Sequence, residues 1–114
     1  MYTDFMPPQA ELLQGTLNML ILQVLSRRKA NGYEIAKMIE ERSDDALQVD
    51  HGSLYPALRR LEAHGWIAAE WAVSPTKRQA RYYALTAAGR KQISIERSRW
   101  QAAVLAVGRV MGTA

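Results

Sequence analysis

Leu13, Leu17, Leu20, Ile21, Val24 and Leu25 recur at steps of three and four, which predicts one apolar stripe on a helix from about Gln9 to Arg28. Asn31-Gly32 then predicts a turn. Beyond it, Ile35, Met38 and Ile39 share one face of a short second helix that closes in the acidic, turn-prone Ser43-Asp44-Asp45. After the Gln48-Val49-Asp50 connection, Leu54, Leu58 and Leu61 draw a third stripe between a cap at Ser53 and a stop at Gly65. From Trp66 the period changes to two. Ile67, Ala69, Trp71 and Val73 alternate with positions that can face water, and Ala80 to Leu85 is similarly aromatic and extended. The polar, basic Ser74-Pro75-Thr76-Lys77-Arg78-Gln79 between them predicts a hairpin with a charged tip. A last helix runs from about Thr86 to Met111, where Ile93, Trp100, Val104, Val107 and Met111 are spaced 7, 4, 3 and 4 apart, as on a heptad seam. The expected fold is mainly α with a small antiparallel β-hairpin, three helices preceding any strand.

Length changes this picture little: 114 residues suit one small domain, with no room for a second large one. The core is small enough for a partner subunit to extend it usefully. Residues 1–85 and 86–114 are expected to form one compact unit. With no cysteine, disulfides, thiolate nucleophiles and Cys-based zinc sites are excluded. The longest apolar stretches fall short of a membrane span, and Met1 to Pro8 lacks a basic stretch followed by an apolar one. A soluble, cytoplasmic protein with no membrane partner is expected.

Charge changes it more. Residues 1–50 carry five basic and eight acidic side chains, whereas residues 51–114 carry ten and three. The second half is the one expected to meet a polyanion. The element order is that of a winged helix-turn-helix, in which the third helix enters the major groove and the hairpin touches the flanking backbone. With the three leucines inward, Ser53, Tyr55, Pro56, Arg59 and Arg60 point outward on that helix. Pro56 is tolerated where the first turn has free N–H groups, so the helix is expected to begin close to Ser53. Those groups can meet a phosphate.

Taken alone, such a face also describes a packing tyrosine beside solvated arginines, and hairpin tips are often charged merely for solubility. Element order, basic second half and charged tip agree on double-stranded DNA. Lys77 and Arg78 are expected at backbone phosphates. Arg81, deeper in its strand, either joins them or pairs with Glu70 across the hairpin. On the last helix, Trp100 offers a large flat surface for dimer packing or for an aromatic effector. Arg97 interrupts the seam with a polar group suited to a cavity or a cross-chain ion pair.

Enzymatic chemistry finds no constellation here, and no cofactor is called for. His51 and His64 stand about 20 Å apart if one helix spans both, so they cannot share a metal. No glycine-rich phosphate loop, paired acids or activated nucleophile is present. A constitutive DNA binder without a ligand and a winged-helix protein interaction module remain the other readings.

Gly52-Ser53-Leu54-Tyr55-Pro56-Ala57-Leu58, followed by Arg60-Leu61-Glu62 and Gly65-Trp66-Ile67, resembles the PadR transcriptional regulators. The resemblance extends through Gly15-Thr16-Leu17, Gly32-Tyr33-Glu34-Ile35 and Arg81-Tyr82-Tyr83-Ala84-Leu85-Thr86 with Gly89. Leu12 to Leu17, Gln48-Val49 and Trp66 to Trp71 look like the short, acidobacterial-type subgroup. The resemblance implies a bacterial homodimeric repressor on palindromic operator DNA. Its C-terminal helix would pack against the partner's N-terminal and C-terminal helices. It also implies release by a planar aromatic compound held between the two C-terminal helices near Trp100. Ala80 departs from the pattern, standing where many members carry a basic residue.

Overall fold

The computed structural model describes residues 9–114, with side chains from residue 15 onward. The Met1 to Pro8 stretch and the side chain of Leu13 lie outside the described residues. Helix α1 spans Gln9–Leu25 and buries Leu17, Ile21, Leu22, Val24 and Leu25. It stops three residues short of Arg28 because its last turn tightens: Ser26 N donates to both Leu22 O and Gln23 O, and Arg27 N to Val24 O.

The chain then enters β1, Ala30–Asn31, a strand the sequence pattern does not predict. Two residues are too few to show alternation. Strand thus precedes the second helix, and Asn31 ends β1 rather than opening a free turn. It also caps α2, Gly32–Arg42. Its side chain accepts from Glu34 N at 2.9 Å while the Glu34 carboxylate accepts from Asn31 N at 3.1 Å. Helix α2 buries Ile35, Ala36 and Ile39.

Helix α3 spans His51–Ala63, beginning two residues before Ser53. Its cap is Asp50, not Ser53: Asp50 Oδ1 accepts from Ser53 N at 2.8 Å, and the Ser53 hydroxyl donates to the other carboxylate oxygen at 3.3 Å. A full carboxylate three residues before Ser53 outcompetes a hydroxyl for the orphan N–H groups. Pro56 therefore sits in the second turn, and the bond it cannot donate is the one to the Gly52 carbonyl.

Strands β2, Ile67–Val73, and β3, Gln79–Leu85, form the antiparallel hairpin, and β1 pairs on the far side of β3. The sheet order is β1-β3-β2, which makes β3 central. Leu54, Leu58 and Leu61 of α3 and Ile67 of β2 close the core against α1 and α2.

Helix α4 spans Ala87–Met111 and is capped by Thr86, whose hydroxyl accepts from Gly89 N at 3.0 Å and donates to Gly65 O at 2.7 Å. Its base is seated on the hairpin so closely that a Cβ at Gly89 would lie 2.0 Å from the Trp66 carbonyl oxygen. Ile93, expected at the head of the seam, is buried in the chain's own core. Beyond it the helix leaves the body, and Trp100, Val104, Leu105, Val107, Val110 and Met111 are all exposed. Among the described residues no helix is long and apolar enough to cross a membrane.

Candidate nucleic-acid interface

Tyr55, Arg59 and Glu62 follow one another on α3 at steps of four and three, so one helix face carries all three. That face borders a groove of about 930 Å³ between α3, the start of α2 and the hairpin, into which Tyr33, Tyr55, Arg59, Trp71, Arg78 and Arg81 contribute. With Tyr83, which also lines it, the trough holds three guanidinium groups and four aromatic rings, and the guanidinium groups suit a phosphate-bearing polymer.

Tyr55 is fixed on two sides. Its ring leans over Gly32 at the start of α2, where a Cβ would come within 2.9 Å of the phenol oxygen. On its own helix the His51 ring stacks beside it, centroids 5.8 Å apart and planes 23° from parallel. Arg59 is exposed along the same face. Arg60 is not turned outward as the wheel predicts: it is half-buried, and its Nη2 donates to Asn18 Oδ1 on α1 at 3.3 Å. One residue's 100° of rotation carries it from the groove to the flank facing α1.

The hairpin tip is a tight loop closed by Lys77 N to Ser74 O and Ser74 N to Arg78 O, both 2.8 Å. Lys77 adopts the left-handed region, φ 66°, at its apex. Lys77 and Arg78 are exposed beside the groove mouth.

Arg81 differs from both. Its partner is not Glu70, which faces Tyr82 in the register and pairs with Lys29 at 3.5 Å. Instead Arg81 Nη2 donates to Glu62 Oε2 on α3 at 2.9 Å. The guanidinium also lies 6.0 Å from the Trp71 ring centroid and 5.8 Å from that of Tyr83. Burial raises the Tyr83 phenol above its ordinary value, with Arg81 opposing the shift and Glu62 and Tyr55 adding to it. Tyr83 therefore stands at the electrostatic junction of the hairpin and α3.

A second region lies on α4. Trp100 borders a cleft of about 300 Å³ between α1 and α4, shared with Gly15, Thr16, Met19, Glu96 and Arg99. Arg97 is satisfied inside its own chain, donating to Gln23 Oε1 on α1. Trp100, Val104, Val107 and Met111 remain together as an exposed apolar row, which Leu105 and Val110 widen.

Sequence reasoning missed Tyr33, Trp71, Asp50 and Glu62. Glu62 left a signal in its helical spacing from Tyr55 and Arg59, and Asp50 in being a cap-forming residue type just before the helix.

The profile of the transcriptional regulator PadR-like family matches residues 21–95. A PadR family transcriptional regulator from Eggerthella lenta superposes with a TM-score of 0.74 at 34% identity, over 91% of this chain and 88% of its own. A transcriptional regulator from Clostridium thermocellum superposes with a TM-score of 0.79 at 27% identity, over 87% and 96%. The negative transcriptional regulator PadR of Bacillus subtilis is 27% identical over 77 residues, 68% of this chain and 42% of that longer protein.

Proposed function

The chain belongs to the PadR-like family of DNA-binding transcriptional regulators, and we propose that it acts as a homodimeric repressor that reads a palindromic operator. The observation that carries this reading is the groove in which Tyr55 and Arg59 of α3 face the basic hairpin tip. Ser53, Tyr55, Pro56 and Arg59 approach the major groove from the first two turns of α3. Arg60 braces α3 against α1 through Asn18, and Lys77 and Arg78 hold the adjacent backbone.

Two copies join through the outer half of α4. A lone chain leaves Trp100, Val104, Val107 and Met111 exposed together, and Ile93 and Arg97 anchor the base of the same helix to its own subunit. The dimer sets two reading helices about 34 Å apart, one turn of DNA. A planar aromatic effector fits the cleft beside Trp100, where an indole gives it a stacking surface. To release DNA it must bind the DNA-incompetent spacing more tightly than the competent one.

The test is selection of a duplex from a random pool by the wild-type protein, followed by titration at several salt concentrations. Preferential enrichment of an inverted repeat, with affinity falling steeply as salt rises, is the expected result. Binding without sequence preference or salt dependence would favour a protein interaction module instead. Trp100→Phe controls for Trp66 and Trp71 when fluorescence follows a panel of phenolic and cationic aromatic compounds. If none changes DNA affinity, the protein is a constitutive binder.

A further inference from the structure

Arg81 looks like a third cation of the wing, yet its surroundings differ from those of Lys77 and Arg78. Both of those are exposed at the loop, whereas Arg81 is half-buried, ion-paired to Glu62 and close to the rings of Trp71 and Tyr83. Its Nε is buried without a hydrogen-bond partner, a cost that the other contacts of the guanidinium have to offset. Glu62 is the one carboxylate on α3, and it lies on the helix face that carries Tyr55 and Arg59. An uncompensated negative charge there would repel the phosphates that the face is offered to.

We propose that Arg81 and Glu62 form a strut that fixes the wing against the reading helix and cancels the carboxylate on the reading face, so that Arg81 is a positioning residue rather than a phosphate contact. The geometry supports this in both directions. Arg81 belongs to β3, the central strand, whose Trp71 partner on β2 and neighbour Tyr83 hold the guanidinium from the sheet side. Glu62 holds it from the helix side. Among the described residues this is the one side-chain polar link between α3 and the two hairpin strands, and the angle between wing and α3 follows from it. Sequence-specific binding depends on that angle because helix and wing must engage one duplex at once, whereas non-specific binding does not.

The inference rests on the DNA-reading function proposed above, and opposite signs separate it from direct contact. The experiment uses the duplex selected by wild type and a scrambled duplex of equal length, titrated at several salt concentrations. The proteins are wild type, Glu62→Gln, Arg81→Gln and the double variant, each checked for folding by circular dichroism. The double variant has the same net charge as wild type, so overall charge does not enter its change in affinity, and its salt slope tells a lost phosphate contact from lost geometry.

As a strut, Glu62→Gln weakens the selected duplex by about fivefold, although it removes a negative charge facing DNA, and leaves scrambled DNA bound no more weakly. The double variant is no worse than the weaker single variant and keeps the wild-type salt slope. As a phosphate contact, Arg81 would give the reverse: Glu62→Gln would free it and tighten binding to both duplexes. Arg81→Gln and the double variant would then each lower the salt slope by about one. That second pattern overturns the assignment. A wild-type protein that enriches no duplex overturns the DNA-reading function itself, an outcome visible before any variant is made.

Discussion

Tyr55 can read a base edge only if its ring is held, and the missing side chain at Gly32 is part of what holds it. A methyl group there would press on the phenol oxygen at 2.9 Å and on a ring carbon at 3.0 Å, so the ring has to swing away. Gly32→Ala is expected to lower stability by about 1 kcal/mol, since the displaced group is the free end of a side chain. It should weaken the selected duplex nearly as much as Tyr55→Ala, on the order of 1 to 3 kcal/mol. Denaturant unfolding and fluorescence anisotropy measure the two effects separately, and wild-type DNA affinity in Gly32→Ala would show that the brace is dispensable. Tyr83 gives a pH prediction. Burial raises its pKa above the ordinary 10.0, which favours the neutral phenol in the folded state. Its contribution to stability is therefore full below pH 10 and is lost as pH climbs through the raised value. Unfolding curves from pH 9 upward should fall less steeply in Tyr83→Phe than in wild type, after allowing for the neutral-pH cost of the substitution. Equal slopes would count against a perturbed Tyr83.

At the scale of elements, two positions separate folding from binding. Lys77 holds a left-handed conformation at the hairpin apex, which glycine adopts without the Cβ penalty. Lys77→Gly is expected to leave stability unchanged or up to about 1 kcal/mol higher while weakening all DNA sequences alike. A selective loss for one sequence would mean that the tip reads bases. Gly89 behaves in the opposite way, because the Trp66 carbonyl is backbone and cannot step aside from a Cβ 2.0 Å distant. Gly89→Ala should cost about 3 kcal/mol, visible as a lowered Tm, and a melting curve like wild type would refute the close seat. These two sites also mark what the sequence could and could not reveal. The apolar stripes of the helices and the charged hairpin tip are legible because each is a local period or a local cluster, whereas the predicted alternation of β2 holds for Ile67 and Ala69 and fails at Trp71 and Val73, which are exposed. What stayed hidden joins residues far apart: Asn31 with Tyr82, Gly89 with Trp66, Arg81 with Glu62. The cap at Asp50 escaped for a different reason, since Ser53 is an equally good cap by type and only the start of the helix decides between them.

For the whole molecule, the unequal halves of the chain and the bare outer part of α4 point the same way. The exposed row of Trp100, Val104, Leu105, Val107, Val110 and Met111 is apolar surface for the proposed second copy to cover. Light scattering at micromolar concentration should report a dimer, and Trp100→Asp should shift it to monomer by placing a charge in the row. A folded wild-type monomer under those conditions would remove the dimer from the proposed function. The close seat at Gly89 has a mechanical consequence. Helix α4 runs about 33 Å from that fulcrum to Met111, at 1.5 Å for each residue, with its outer half unsupported by the body. Tilting such a lever by about 5° carries its tip through about 3 Å, close to the 3.4 Å rise of one base pair. In the proposed dimer, a grip on the outer half would therefore shift the distance between the paired bodies by about one base-pair rise.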